Sequence, residues 1–449
     1  MRDAGTSESP STACDAAYRN SDIASAVAEA RARYVAARPK SAALHAKART
    51  VMPGGNTRSV LAYDPFPTAM AGGEGCTLWD IDGHRYLDLC GEYTAGLFGH
   101  SEPAIRAAVT AALENGLNLA AVGEAEVRLA ELICGRFPSI ERIRFTNSGT
   151  EGNLMAISAA RAFTGRERIM VFKGGYHGGV LSFPLAGPTK VAAPFPLVLS
   201  TYNDLDEARA QGRRHAADLA AILVEPMLGS GGCIPAHPAF LTGLRELADE
   251  TGAVLILDEV MTSRMSAAGM QGRLRLAPDM TTLGKYMAGG MSFGAFGGKA
   301  AIMDQFAGKL AHAGTFNNNV LSMAAGSVAL GRLFQAETAE RLFARGQAMR
   351  DALNAACAQA DVPMRFTGLG SLAAPHFRPG PIVRPYAPEP AEEALRELFF
   401  FDMLEAGIYL ARRGMVALSL PVAAADIGRF TDAVTEFALA RGPLLRQIG

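Results

Sequence analysis

Lysine is scarce in this chain, and features that define several other classes of protein are missing. Only seven of the 43 basic residues are lysines, and 44 acidic residues bring the net charge to −1. This balance gives no electrostatic reason to expect a nucleic acid or an anionic membrane as a partner. No apolar run approaches the roughly eighteen residues of a membrane helix, and residues 1–20 lack the apolar stretch of a signal peptide. We therefore expect a soluble, cytoplasmic protein.

Cysteines and histidines are too dispersed for a disulfide framework or a metal site. The six cysteines form no C-x-x-C pair, which indicates free thiols in a reducing compartment. The eight histidines show no H-E-x-x-H motif or clustered spacing, so the sequence predicts no metal. The cysteines are Cys14, Cys76, Cys90, Cys134, Cys233 and Cys357.

The length and the order of apolar runs predict an α/β fold with two lobes. A chain of 449 residues is too long for one simple core. From about residue 100, short apolar β-runs alternate with helical stretches, which is typical of a mostly parallel sheet covered by helices on both faces. We expect a mobile N-terminus (1–20), an N-terminal segment of a small domain (21–99), a large domain (100–330) and a smaller C-terminal domain (331–449).

Three local patterns predict individual elements. Residues 21–50 have helical composition that is broken near Pro39. Residues 77–89 form two strand-like runs around Asp82-Gly83, a good hairpin signal. Residues 368–373 match the dinucleotide-binding fingerprint as letters, but Pro375 and strand-like residues follow where a helix should begin, so we discount the match.

Polar residues follow several apolar runs of the predicted sheet. Glu225 follows AILV and Asp258 follows VLIL, and ligands of open α/β sheets lie outside the carboxyl ends of the strands. The small-residue turn Ser148–Thr150 precedes a helical stretch, where free N–H groups and the helix dipole suit an anion. Tyr176 and His177 follow another run. We expect these groups to meet at one edge of the sheet.

Lys285 stands in TTLGKYMAGGMSFGAFGG (281–298), which contains no acidic residue to pair with it. A lysine without a partner in apolar surroundings loses hydration, and its charged form is disfavoured.

Taken alone, each of these features has a structural explanation. The small-residue turn and Asp258 could be helix caps, and Glu225 could pair with a surface arginine. Tyr176 and His177 could be packing residues, and Lys285 could be a surface lysine.

Together these groups match what pyridoxal 5′-phosphate requires. The cofactor bonds covalently to a lysine whose pKa is lowered by burial, and an acid keeps its pyridine nitrogen protonated. An anion site holds its phosphate, and a flat aromatic side chain covers its ring. The combination therefore predicts a pyridoxal-phosphate site.

Six ordered motifs carry a resemblance to a known family. NSGTEGN, GGYHGG, VEPM, LDEVMTSR, LGKYMAGG and HAGTFNNN resemble the class III (fold-type I) pyridoxal-phosphate aminotransferases, from about residue 50 onward. The resemblance implies Lys285 as the cofactor-bearing, catalytic lysine and an obligate homodimer with shared active sites. It also implies cofactor contacts from Ser148, Gly149, Thr150, Tyr176, Glu225, Asp258 and Val260, and from Thr315 of the neighbouring subunit.

Within this family the chain is related to glutamate-1-semialdehyde aminomutase but departs from its pattern after Pro53. The segments NTRSV and EYTAG, and RRGM before ALSLP, look like the aminotransferases that act on aromatic β-amino acids such as β-phenylalanine. That resemblance implies substrate contacts from Arg58, Tyr93 and Arg413, although Arg412 is adjacent to the last of these. A planar guanidinium suits a carboxylate because it donates two parallel hydrogen bonds.

Three functions follow as hypotheses. The first is transfer of the amino group of an aromatic β-amino acid to a keto acid such as 2-oxoglutarate or pyruvate. The second is an aminomutase that needs no added keto acid, or a class III aminotransferase for another ω-amine. The third is a cofactor-binding regulator without turnover, which the filled reactive positions and the lack of a basic patch disfavour.

Overall fold

A computed structural model describes residues 22–448. The predicted mobile N-terminus (1–20) and Cys14 lie outside the described residues. The strands are β1 Met70–Glu74, β2 Thr77–Asp80, β3 Arg85–Asp88, β4 Arg142–Thr146, β5 Arg168–Phe172, β6 Gly175–Tyr176, β7 Ser182–Phe183, β8 Leu197–Ser200, β9 Leu219–Val224, β10 Met227–Leu228, β11 Ile234–Pro235, β12 Val254–Asp258, β13 Met280–Gly284, β14 Gly294–Gly298, β15 Arg365–Leu369, β16 Leu372–His376, β17 Ile408–Tyr409 and β18 Val416–Ala417.

The helices are α1 Ile23–Ala37, α2 Pro39–Ala48, α3 Pro103–Glu114, α4 Glu124–Arg136, α5 Gly149–Thr164, α6 Leu205–Arg214, α7 Pro238–Thr251, α8 Gly269–Leu274, α9 Ala300–Met303, α10 Val320–Val328, α11 Ala336–Gln359, α12 Pro390–Glu405, α13 Ala424–Ala440 and α14 Gly442–Leu445. None of the helices in the described range is long and apolar enough to cross a membrane.

The largest sheet has seven strands in the order β4-β14-β13-β12-β9-β5-β8. Neighbours from β13 to β8 run parallel, whereas β14 runs antiparallel to both β13 and β4. Alternate residues of the central strands enter two separate hydrophobic clusters, one packed on α5 and the other on α6 and α7. Because both faces are covered, these strands are continuous apolar runs. The predicted mostly parallel sheet between helices is confirmed.

A smaller, four-stranded sheet combines strands from both ends of the chain. The N-terminal strands β1, β2 and β3 form this sheet together with β17, which pairs with β3, so residues 70–88 and 408–409 share one sheet.

The predicted hairpin at Asp82-Gly83 is confirmed as the antiparallel pair β2–β3, and Gly83 has a φ of +103° in its turn. Residues 368–373 lie in the β15–β16 hairpin, which confirms that they are not a strand-to-helix dinucleotide motif.

The predicted helical break near Pro39 is also confirmed. Helix α1 ends at Ala37, and Pro39 is the first residue of α2, where its missing N–H costs nothing. Asp82, in the hairpin turn, accepts the backbone N–H groups of Lys40 and Ser41 at 2.7 and 3.0 Å. The side chain of Asp82 therefore caps the N-terminus of α2 from the hairpin turn.

Candidate active site

The predicted cofactor residues gather at the carboxyl edge of the seven-stranded sheet. Asp258 is the last residue of β12 and Glu225 directly follows β9. Lys285 directly follows β13, while Ser148 and Tyr176 follow β4 and β5 within a few residues. These strands are neighbours or near neighbours in one sheet, so side chains that are far apart in sequence meet at one edge.

The turn before α5 has the form of an anion site. Ser148 is the N-cap, and its hydroxyl accepts the Glu151 N–H at 3.2 Å. A Cβ at Gly149 would lie 2.8 Å from Cγ2 of Val260, and a Cβ at Gly178 would clash with the Thr150 side chain. Both glycines allow this close packing around the turn. The first N–H groups of the 16-residue helix α5 have no partner within the helix, and Ser148 satisfies that of Glu151.

Asp258 is buried in a hydrogen-bonded network. One carboxylate oxygen, Oδ2, accepts from Asn153 Nδ2 at 2.8 Å and contacts His177 Nδ1 at 2.7 Å. The other, Oδ1, accepts the Val260 N–H at 2.9 Å. Burial alone would lower the pKa of His177, but the hydrogen bond to Asp258 and the charges of Asp258 and Glu225 outweigh it and raise that pKa. The buried carboxylate of Asp258 therefore favours the protonated form of the His177 imidazole.

Glu225 is a second buried carboxylate at the same edge. It accepts the backbone N–H groups of Tyr176 at 2.9 Å and of Gly229 at 3.0 Å. Burial, opposed by His177 and assisted by Asp258, raises its pKa to about 7. Glu225 thus fixes the backbone that carries Tyr176, whose own side chain is 46% exposed.

Lys285 begins a short 3₁₀ turn, Lys285–Ala288, with a left-handed φ of +58°. No hydrogen bond or ion pair of its amine is found among residues 22–448. Burial and the charge of Arg413 lower its pKa to about 8, and Asp258 acts in the opposite direction. A side chain held in an unfavourable backbone conformation, with a free amine of lowered pKa, is typical of a functional lysine.

Two guanidinium groups flank the ring of Tyr93. The Cζ atoms of Arg58 and Arg413 each lie 5.5 Å from the ring centroid, and the Tyr93 hydroxyl donates to the Val60 carbonyl at 3.1 Å. Both arginines also lower the pKa of Lys285. The structure therefore brings the three residues predicted to contact substrate together near the lysine.

The structure distinguishes Arg413 from its neighbour Arg412. Arg412 forms an ion pair with Glu397 at 3.1 Å and stacks over Phe400, away from Tyr93. Arg413 donates to Ser230 Oγ at 3.2 Å, and its buried Nε has no hydrogen-bond partner within the described part of the chain. Of the two arginines, Arg413 is the one available to a ligand.

A cavity of about 460 Å³ opens beside Tyr176 and Arg413. Pro184, Leu185 and Tyr386 give part of its wall an apolar character. Thr315 is exposed in a turn next to Phe316, which is 59% exposed. Within residues 22–448 no hydrogen bond joins Thr315 to the other predicted cofactor residues, although Asn317 of the same turn accepts from Asn147 Nδ2 at 3.1 Å.

These residues fit pyridoxal phosphate. The α5 turn offers N–H groups and hydroxyls to a phosphate, Asp258 Oδ1 accepts only one hydrogen bond among the described residues, and the Lys285 amine is unpartnered. An anion cradle, a buried acid and a free amine are the donor set that this cofactor needs. No group of three or more acidic, histidine or cysteine side chains in residues 22–448 could hold a metal ion.

The fold and this site define a pyridoxal-phosphate-dependent enzyme of fold-type I. The chain belongs to the class-III aminotransferase family, which matches residues 61–427, and it is a transaminase. It is 52% identical over 426 residues to the β-phenylalanine transaminase of Variovorax paradoxus, covering 94% of this chain and 98% of that protein. These findings confirm the predicted family, fold, cofactor and class of reaction.

Solved structures agree with this assignment. The crystal structure of a β-phenylalanine aminotransferase from Variovorax paradoxus has a TM-score of 0.92 at 51% identity, covering 94% of this chain and 99% of that one. A glutamate-1-semialdehyde aminomutase from Pseudomonas aeruginosa PAO1 has a TM-score of 0.85 at 23% identity, covering 94% and 98%. The aminomutase therefore shares the fold.

Three contacts of the site are not among the predictions from the sequence. Asn153 and His177 both bind Asp258, although each stands inside a motif that had been noted. Glu92 contacts Arg58. The only available signal was position: Asn153 lies four residues after Gly149, one helical turn further along α5, and Glu92 is adjacent to Tyr93.

Proposed function

We propose that this transaminase moves the amino group of an aromatic β-amino acid, such as β-phenylalanine, to a keto acid such as 2-oxoglutarate or pyruvate. The observation that carries the proposal is the cluster of Arg58, Tyr93 and Arg413 near the unpartnered amine of Lys285. The similarity to a β-phenylalanine transaminase along 94% of the chain supports the same substrate class.

Each cofactor residue has a proposed role. Ser148, Gly149 and Thr150 bind the phosphate, Asp258 holds the pyridine nitrogen in its protonated form, and Val260 and Tyr176 pack on the two sides of the ring. Glu225 orients the substituents of the ring. When bound, the cofactor supplies an electron-accepting ring that stabilises negative charge on the substrate carbon.

Lys285 is proposed to move the proton. Because its pKa is lowered to about 8, a substantial fraction of the amine is neutral near physiological pH. The neutral Nζ would remove the proton from the amine-bearing carbon of the substrate as a general base, and the ammonium group so formed would act as the general acid that donates this proton to the cofactor. Burial, assisted by the nearby guanidinium charges, keeps the pKa of the amine in this range.

Arg58 and Arg413 are proposed to bind carboxylates on the two sides of Tyr93. Arg58 takes the carboxylate of the amino donor, and Arg413 takes the second carboxylate of a dicarboxylic acceptor. The aromatic group of the donor would lie toward the cavity, whose wall contains Leu185 and Tyr386. Since the donor's amine is one carbon further from its carboxylate than in an α-amino acid, the separation between Arg58 and Lys285 sets the specificity.

We also propose that the enzyme is a cytoplasmic homodimer with shared active sites. Thr315 and Phe316 are exposed in the single chain, as are Leu119 and Val122. Asn318 donates to the Ala121 carbonyl at 3.2 Å, so the two exposed segments lie side by side. A second copy packed on this apolar surface would bring Thr315 to the partner's cofactor phosphate.

The test is conversion of β-phenylalanine by the cofactor-loaded enzyme with and without an added keto acid. We expect sustained product formation only when 2-oxoglutarate or pyruvate is present, and one equivalent of product per site without it. Turnover without an acceptor would instead indicate an aminomutase. Conversion of another ω-amine, but not of β-phenylalanine, would overturn the proposed donor.

A further inference from the structure

The turn that carries Tyr93 has an unusual backbone. The four residues Gly91–Thr94 have φ values of 53°, 47°, 52° and 84°, and all but the first carry side chains that disfavour this left-handed region. Asp88 Oδ1 holds the start of the turn by accepting two backbone N–H groups at 2.9 and 3.0 Å. A Cβ at Gly91 would lie 2.8 Å from the Ala417 carbonyl oxygen. The turn is thus fixed by its surroundings.

This conformation presents Glu92 to the proposed substrate arginine. The Glu92 carboxylate forms an ion pair with Nη1 of Arg58, and the two side chains are 56% and 44% exposed. The charge of Glu92 also acts on Lys285, where it opposes the effect of Arg58 and Arg413 on the pKa. Glu92 therefore belongs to the set of charges that a substrate meets.

We propose that Glu92 raises the binding threshold for carboxylate ligands by competing with them for Arg58. The inference rests on the proposed role of Arg58 as a carboxylate site. A guanidinium binds a carboxylate best through two parallel hydrogen bonds, and a second carboxylate beside the first repels it. An entering carboxylate must therefore displace Glu92 or bind against its negative charge.

The competition has a consequence for the choice of ligand. It weakens every carboxylate at Arg58 by the same factor, whatever else that ligand contains. A small anion has no further contact to offset this loss, whereas a ligand with an aromatic group or a second carboxylate gains contacts at the cavity or at Arg413. Glu92 also keeps Arg58 paired when the pocket holds no substrate.

A binding measurement with a non-reacting ligand tests this. Calorimetric titration of the cofactor-loaded enzyme with 3-phenylpropanoate, which lacks the amine of β-phenylalanine, reports carboxylate binding without turnover. Since exposed ion pairs are weak, we expect Glu92→Gln to lower the Kd by about two- to fivefold. Binding of 3-phenylpropan-1-ol, which has no carboxylate, should stay unchanged.

Two further variants make the test specific. Glu246→Gln removes a comparable exposed carboxylate, paired with Arg209 at 2.6 Å on the outer helices, and should leave the Kd unchanged. In an Arg58→Ala background, which should itself weaken 3-phenylpropanoate, Glu92→Gln should tighten binding less than it does in the unaltered enzyme.

Weaker or unchanged binding of 3-phenylpropanoate in Glu92→Gln would overturn the competition, as would equal tightening in the Arg58→Ala background. Failure of the proposed function is separate from these outcomes. If β-phenylalanine is not converted but the variants bind 3-phenylpropanoate as expected, the proposed donor is wrong and the competition at Arg58 stands.

Discussion

At the scale of single residues, the chemistry depends on Lys285, whose amine is unpartnered within residues 22–448 and whose backbone is left-handed. We expect Lys285→Ala to lower kcat by about a hundredfold to ten-thousandfold, because it removes both the nucleophile and the proton carrier. Lys309→Ala, at an exposed lysine outside the site, should keep full activity. Steady-state kinetics with saturating cofactor would check this, and full activity of the Lys285 variant would end the assignment.

The lowered pKa of Lys285 predicts a pH dependence for covalent attachment of the cofactor. Only the neutral amine reacts, and with a pKa of about 8 the neutral fraction is roughly one-tenth at pH 7 and nine-tenths at pH 9. The rate of attachment to the cofactor-free protein should therefore rise with pH, reach half its maximum near pH 8 and level off above about pH 9. Stopped-flow absorbance across a pH series measures it.

Arg413 supplies a control for the origin of this pKa. Its positive charge favours the neutral amine, so Arg413→Gln should raise the pKa of Lys285 and move the rate profile to higher pH. Arg412→Gln should not move the profile, because Arg412 is paired with Glu397. An unshifted profile in the Arg413 variant would show that the charge of Arg413 does not contribute to the lowered pKa.

The same two arginines show where prediction from sequence stops at this scale. Arg412 and Arg413 are adjacent in sequence and both precede the strand β18. The sequence therefore does not show which of the two side chains is turned toward Tyr93. The structure distinguishes them through partners that are distant in sequence, since Glu397 on α12 binds Arg412 and Ser230 binds Arg413. The pairing of His177 with Asp258 was likewise invisible, because it joins residues 81 positions apart.

At the scale of elements, the loop after β5 closes on the turn that begins α5. Gly178 has a φ of +130°, and a Cβ there would clash with Thr150. We expect Gly178→Ala to cost about 1–3 kcal/mol of stability and to weaken cofactor binding, because Thr150 must move out of the proposed phosphate site. The adjacent Gly179→Ala, with nothing within 4 Å of its Cβ, is the matched control.

Thermal unfolding and cofactor titration of both glycine variants check this prediction. Loss of stability without loss of cofactor affinity would mean that the clash is relieved away from the helix N-terminus. Equal effects in the two variants would mean that the contact with Thr150 is unimportant.

Elements whose signals are local could be predicted, and elements held by distant contacts could not. The apolar runs before Glu225 and Asp258 placed both acids at the sheet edge, because parallel strands align their carboxyl ends. Asp82-Gly83 predicted a hairpin for the same local reason. The left-handed turn Gly91–Thr94 has no such signature, since Asp88 and the neighbouring strand β18 hold it.

At the scale of the whole molecule, residues 70–88 and 408–409 share one sheet although they lie more than 300 positions apart. The division into domains at residues 99/100 and 330/331 stays a prediction. Dimerisation also cannot be derived from a single sequence, because an exposed apolar side chain such as Phe316 does not identify the surface that covers it.

The proposed shared site predicts complementation between two defective chains. Lys285→Ala removes the amine, and Thr315→Asp places a negative charge against the cofactor phosphate, so each homodimer should be inactive at low cofactor concentration. If Thr315 serves the partner's site, a mixed dimer carries both defects in one site and leaves the other intact. Random mixing then makes half the dimers mixed and restores roughly a quarter of the sites.

The alternative, in which each active site is built from a single chain, gives a different result. If Thr315 served its own subunit, every site in a mixed dimer would carry one defect, and mixing would restore no activity. The measurement is transaminase activity after the two variants are unfolded, mixed and refolded at limiting cofactor. Thr315→Ser keeps the hydroxyl and should behave like the unaltered enzyme. Recovered activity with a mass of about twice 47.2 kDa would therefore place two chains in each active site.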